Sequence, residues 1–287
     1  MSVSKPRSPL YFAWARFADN KAALVAGAIL LLIILMAVFA PLISKTGYAD
    51  QKFLTQAYAF PQAEFWFGVD DLGRDFFTRI VYGARVSLTI GFTAAAFSLV
   101  IGIPLGAIAG YYGGRADWCV MRLIELFSVV PPLLAAMLLG ALTNGGFLTI
   151  VLIAALFGWV QVCLLVRAQV KAMAQKEFVR AAQALGATPG YIIRRHLIPN
   201  AISPIIVGFV LAIPLAMMLE ASLSFLGIGV PPPIPSWGQM INVGMNFMYF
   251  YWHLAVFPTA ALAITVLATT LFGDGLRDAL DPTLKGR

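Results

Sequence analysis

Five stretches of this chain carry no Asp, Glu, Lys or Arg: residues 22–44, 86–114, 126–166, 196–219 and 221–273. A helix needs about 20 residues to cross about 30 Å of hydrocarbon, so the first two stretches hold one span each and the third is long enough for two. "LTNGGF", Leu142 to Phe147, supplies an Asn and two Gly for the turn between that pair. Glu220 divides the last two stretches without ending the apolar helix pattern around it. The break that does end a helix is "GIGVPPPIPSWGQ", Gly227 to Gln239, whose prolines cannot continue one. The pattern predicts an all-α membrane protein with six spans, near 22–43, 86–110, 121–141, 147–168, 201–226 and 253–273.

The cationic residues orient these spans, because Lys and Arg collect on the cytoplasmic side. With the amino terminus inside, that side receives Lys5, Arg7, Arg16, Lys21, Arg115, Arg122, Arg167, Lys171, Lys176, Arg180, Arg194, Arg195, Arg277, Lys285 and Arg287. The other side receives Lys45, Lys52, Arg74, Arg79 and Arg85, so the 20 cations divide fifteen to five. Both termini are therefore expected in the cytoplasm, and the net charge of +7 is a membrane-orientation effect, not a nucleic-acid footprint. The composition agrees: 60% of residues are hydrophobic and 11% charged, against roughly 45–50% and about 25% in soluble domains. The first apolar run exceeds the 7 to 15 residues typical of a signal sequence and lacks a small-residue cleavage site after it, so it reads as a retained span.

Several chemistries are absent. There is no GxxxxGK[ST] stretch for binding ATP, no HExxH, and no triad-like arrangement around His196 or His253. Cys119 and Cys163 fall toward cytoplasmic ends of spans, where a disulfide is not expected, and no nearby His or Asp completes a metal site. No cofactor is expected.

On this topology residues 169–199 form a cytoplasmic insertion, and they hold an unusual density of charge. Phe178, Ala181, Ala182 and Leu185 recur at helical spacing. Gly186 follows where a helix ending needs a left-handed residue. Thr188 and Pro189 then suit an N-cap and first turn of a second helix, which runs through Arg194 and Arg195 to Pro199 and Asn200. One reading lays the first helix on the lipid surface. The other seats it in a groove of a protein partner, since Ala181 and Ala182 beside the anchors Phe178 and Leu185 let a backbone approach closely.

"RAAQALGATPGYIIRRHLIPN", Arg180 to Asn200, resembles the EAA loop of ABC-importer permeases, in which EAA is followed after three residues by Gly and nine residues later by Ile-x-Leu-Pro. Ala181, Ala182, Gly186 and Pro199 match in register; Arg180, His196 and Ile198 replace the Glu, Ile and Leu of the pattern. The segments Phe67 to Leu88, Glu220 to Ile241 and Gly273 to Pro282 are similar to the second permease subunit of dipeptide, oligopeptide and nickel importers. The resemblance extends over nearly the whole chain from Lys21 onward. It implies a six-helix, type I (MetI-like) permease fold in a bacterial inner membrane, and a non-catalytic subunit that passes peptides. It further implies a paralogous permease partner, two cytoplasmic ATPase chains and an external solute-binding protein. The coupling helix would be Glu177 to Gly186, with Glu177, Phe178, Arg180, Ala181, Ala182, Leu185, Gly186 and Pro199 as its working residues. The implied organisation is an amino-terminal segment and first span over 1–45, a periplasmic segment over 46–84, the transmembrane domain over 85–276 with its coupling loop at 169–199, and a tail over 277–287. A secondary transporter or a non-transporting scaffold are the competing classes; the inverted repeat common in the former is not visible between residues 22–140 and 147–273.

Features within the spans leave choices open. Gly102, Gly106 and Gly110 form a small-residue stripe that packs either against a helix of the same chain or against the partner permease. Pro131 and Pro132 in span three, and Pro204 and Pro214 in span five, remove backbone donors, either shaping the bundle or lining a translocation path. Glu220 inside a span faces the bundle interior or water, to meet a solute ammonium or to hydrogen-bond a neighbouring helix. Glu125 reads as an interfacial acid. Outside, "DDLGRD" reads as a capped turn with a solvated acidic pair leading into a short interfacial helix. The proline-rich loop Val230 to Gly238, with Trp237 at interfacial depth, reads as a contact surface.

Overall fold

Helices occupy most of each charge-free interval in the computed structural model, which describes residues 9–143 and 145–280. The elements in chain order are α1 (Pro9–Asp19), α2 (Lys21–Val38), α3 (Ala40–Ile43), α4 (Phe76–Tyr112), α5 (Gly114–Val129), α6 (Pro132–Leu142), α7 (Phe147–Ala174), α8 (Glu177–Ala184), α9 (Pro189–Ile192), α10 (Ile198–Asn200), α11 (Ile202–Phe225), α12 (Trp237–Asn246) and α13 (His253–Leu280). Among the described residues the only strand-like pairing is an isolated bridge between Val69 and Asp75. Lys5, Arg7, Lys285, Arg287 and the tail beyond residue 280 lie outside the described residues.

Among the described residues five helices are long and apolar enough to cross a membrane: α2, α4, α7, α11 and α13. The sixth expected span is not one helix but the pair α5 and α6, which are apolar enough together and meet at 78°, as a broken span or a re-entrant loop does. Pro131 N-caps α6 and Pro132 opens its first turn, so this pair ends one helix and begins another where the sequence suggested kinks within one span. Pro204 makes no kink either: it lies in the first turn of α11, where its missing N–H is one of the unpaired donors anyway. Pro214 is the proline inside α11, and it is buried.

The tightest seam joins α4 to α7. A Cβ added at Gly102 would lie 2.9 Å from the Trp159 carbonyl oxygen and 2.7 Å from Val162 Cβ. At Gly106 it would lie 2.6 Å from the Cys163 carbonyl oxygen, and at Gly110 2.7 Å from that of Arg167. The stripe therefore lets two backbones of one chain touch, which is how apolar helices associate where lipid removes the hydrophobic drive.

A polar cap closes the amino-terminal end of α4. Asp75 accepts from Thr78 N–H at 2.8 Å and so caps the helix, while Asp70 accepts from the backbone N–H of Leu72 and Arg74 and pairs with the Arg74 guanidinium at 2.6 Å. Arg79 lies 3.4 Å from Asp70 and donates to the carbonyls of Tyr48 and Pro233, tying the segment before α4 to the proline-rich loop. The DDLGRD turn is capped as expected. However, Asp70 and Asp75 are buried rather than solvated, and the helix that follows is the 37-residue α4 rather than a short interfacial one. Burial, and secondarily Asp70, push the Asp71 carboxyl above its ordinary value, opposed by Arg74.

Glu220 is fully buried in α11. Its carboxylate accepts from Ser87 of α4 at 3.1 Å and from Ser224 at 2.7 Å; Ser236 donates to Ser224 at 3.3 Å while itself capping α12 through Gln239 N–H. Of the two roles open for this acid, the structure shows the hydrogen-bonded one. Trp237 is also fully buried and donates from Nε1 to the Ile80 carbonyl at 3.0 Å, so it is a core residue and not a contact surface.

Two stability outcomes follow from these contacts. Gly106→Leu must displace the α7 backbone and is expected to cost about 1–3 kcal/mol or more, read as a lowered Tm and reduced monodisperse yield in detergent; Gly190→Ala, which meets open space, is expected to leave both unchanged. Glu220→Ala, which orphans two buried hydroxyls, is expected to cost about 1–3 kcal/mol in the same assay, and Glu220→Gln clearly less.

Candidate coupling site

The last turns of α7 carry the chain past the bundle, and a two-residue link at Gln175 and Lys176 turns it into α8. The elbow that follows is set by Gly186. Its φ of +83° is the left-handed conformation, with Gly186 N–H donating to the Gln183 carbonyl at 2.9 Å and Ala187 N–H to that of Ala182 at 3.0 Å. This pair of bonds is the glycine-terminated helix ending the sequence suggested. Thr188 and Pro189 then occupy the N-cap and first position of α9, although the Thr188 side chain makes no capping bond. From Pro189 the chain is almost continuously helical into α11, passing through a π-helical stretch at Ile193–Leu197 just before Pro199. Pro199 itself is exposed in the first turn of α10, and with Asn200 it leads into α11.

The elbow is held from beneath. Val179, Ile192 and Leu197 have no exposed surface and pack with Val166, Val170 and Met173 of α7, with Ala182 and Ala187 partly buried against them. Gln183 donates to the Tyr111 hydroxyl at 3.2 Å, fastening α8 to the end of α4. His196 stands edge-on to Tyr191, with ring centroids 5.7 Å apart, and near Phe178 at 6.4 Å, joining the two arms.

This seating divides the face inferred from spacing. Ala182 turns inward with Val179, three residues before it. Phe178, Ala181 and Leu185 stand outward, Phe178 40% and Leu185 88% exposed. Arg180, Arg194, Arg195 and Glu177 are exposed around them. Val179 is the residue that reading from spacing missed; its i,i+3 relation to Ala182 is the signal that marks a second, inward apolar face.

The other residues singled out lie elsewhere. Gly102, Gly106 and Gly110 form the seam beneath the elbow; Pro131 and Pro132 are exposed at the bend between α5 and α6; Pro214 and Glu220 are buried in α11. Glu125 is exposed and pairs with Arg122 at 2.6 Å. No His, Cys, Asp and Glu group suited to a metal is present among the described residues, and Cys119 and Cys163 are free thiols.

A helical bundle with a protruding elbow matches known proteins throughout its length. Residues 102–286 match the family model described as "Binding-protein-dependent transport system inner membrane component", and residues 8–61 match "N-terminal TM domain of oligopeptide transport permease C". The chain is 43% identical over 274 residues to the oligopeptide transport system permease protein OppC of Bacillus subtilis, covering 95% of this chain and 89% of that one. It is 42% identical to the dipeptide transport system permease protein DppC of the same species, over 99% of this chain and 89% of that one. To the glutathione transport system permease protein GsiD of Pectobacterium atrosepticum it is 38% identical, over 97% and 93%. Its fold is similar to a chain of the inward-facing MetNI methionine ABC transporter, with a TM-score of 0.55 and 18% identity over 72% of this chain and 98% of that chain. With five long apolar helices and one bent apolar pair, an elbow after α7 and relatives of this similarity, the chain belongs to the family of inner membrane components of binding-protein-dependent transport systems.

Proposed function

We propose that this subunit forms half of the translocation path of an ATP-driven peptide importer, and that α8 docks in a groove of an ATPase chain. The observation that carries the coupling role is the outward edge of α8. Phe178, Ala181 and Leu185 are apolar and exposed on a helix whose opposite side is locked into its own bundle, so a partner can load the edge without unfolding it. Arg180, where the family pattern has an acid, supplies a cation at the rim of that edge. The peptide class is supported by relatives whose names specify oligopeptide, dipeptide and glutathione transport. Those same names favour a permease over a secondary transporter or a scaffold.

The rest of the assembly follows the same reading: a paralogous permease across the path, two ATPase chains that hydrolyse ATP on this subunit's behalf, and an external binding protein that delivers solute. Both termini lie in the cytoplasm, as the fifteen-to-five division of Lys and Arg favours. Residues 46–84 then lie outside, 169–199 inside, and lipid surrounds the bundle.

Residue-specific crosslinking tests the docking geometry. A cysteine at Leu185 is expected to crosslink to an ATPase chain in the assembled complex, whereas one at Val179 is expected to capture nothing outside this chain; the reverse pattern would reject the orientation of α8. In proteoliposomes with the cognate binding protein, Gly186→Pro, which cannot adopt a positive φ, is expected to lower solute-stimulated ATP hydrolysis and uptake of a labelled short peptide by roughly five-fold or more, with the chain still present in the membrane.

A further inference from the structure

α5 is attached to the rest of the molecule in an unusual way. At its start, Gly113 and Gly114 have φ of +61° and +50° with open space around both, forming a joint to α4. At its end, Val130 and Pro131 turn the chain through 78° into α6. Between these joints α5 buries only Val120 and Ile124, which meet Trp159, Val160 and Cys163 of α7. The Phe127 ring adds edge contacts to Phe157 and Trp159 of α7, with centroids 6.1 and 5.5 Å away, and the polar tie is ionic. Arg167 of α7 donates from both arms of its guanidinium to Asp117, from Nη2 to Oδ2 at 2.7 Å and from Nε to Oδ1, and Lys171 lies 3.8 Å from the same carboxylate. The pair is largely shielded, with 16% of the Asp117 and 22% of the Arg167 side chain exposed. A planar two-point bond of this kind fixes orientation as well as distance.

Arg167 is placed to feel the coupling elbow. Its backbone nitrogen and carbonyl form part of the wall met by Gly106 and Gly110, and uninterrupted helix runs from it to Ala174, three residues before α8 begins. A displacement of α8 therefore reaches Arg167 through one rigid element, and Asp117 is the polar group through which it reaches α5.

We propose that Asp117 and Arg167 are positioning residues that transmit movement of the coupling helix to the broken span α5–α6. This inference rests on the reading of α8 as the ATPase dock. Both side chains act through helices and touch neither nucleotide nor solute.

The test uses the complete importer in proteoliposomes with its binding protein. Asp117→Asn is expected to leave the recovered complex and basal ATP hydrolysis within about two-fold of the parent while lowering solute-stimulated hydrolysis and peptide uptake by roughly ten-fold, the range of a coupling effect. Arg167→Lys, which keeps the charge but loses the fork, is expected to fall between. The exchange Asp117→Arg with Arg167→Asp is expected to recover a substantial part of the stimulation. An unchanged stimulation ratio in Asp117→Asn overturns the proposal. So does loss of complex and of basal hydrolysis in parallel in all three variants, which is the signature of a purely structural pair. Crosslinking from Leu185 in the same preparations separates the two levels: an ATPase crosslink with undiminished stimulation rejects the strut alone, and no ATPase crosslink in the parent rejects the docking reading beneath it.

Discussion

Direct contact between the α4 and α7 backbones determines where everything else in this molecule lies. In lipid the apolar surfaces of two helices gain little by meeting, so their association depends on how closely atoms approach. Three glycines one turn apart remove the side chains that would keep the helices separate, and the carbonyls of Trp159, Cys163 and Arg167 fill the space. Because α7 continues into α8, the position of the elbow is inherited from this seam. Val166 and Val170, which face Gly106 and Gly110 in the seam, also form the seat of the elbow together with Met173.

Polar groups are used sparingly and at junctions. Glu220 joins α4, α11 and the start of α12 through hydroxyls alone, which give both its carboxyl oxygens a hydrogen-bond partner inside the bundle. Arg79 joins the segment before α4 to the loop before α12. Asp117 joins α5 to α7. Each of these ionic or hydrogen-bonded groups links elements distant in sequence.

Periodicity and charge spacing made the spans and the elbow legible, because both depend on local rules: length against bilayer thickness, and a glycine where a helix reverses. The same rules could not distinguish the two faces of α8. Val179 and Phe178 are adjacent apolar residues, and only the presence of α7 below makes one an anchor and the other an exposed edge. Trp237 was misplaced for a related reason. A tryptophan after a run of prolines near a span end has the composition of an interfacial anchor, yet here its indole fits against the backbone of α4 at Ile80. α12, ten residues long, fell below the length at which an apolar pattern stands out from its loop. The Asp117–Arg167 pair spans fifty residues of sequence, a separation at which charge spacing carries no information.

α4 is also longer than a bilayer is thick. Its 37 residues extend about 55 Å, against about 30 Å of hydrocarbon, so a substantial part of the rod stands clear of the lipid. The tip at Phe76 lies about 45 Å from Gly106 along the axis, so the glycine seam and the polar cap sit far apart on one rod. A rotation of about 10° about the seam would carry the Phe76 end through about 8 Å, more than the hydrogen bonds of Arg79 and Trp237 at that end can stretch, so those bonds hold the angle at which α4 meets α7.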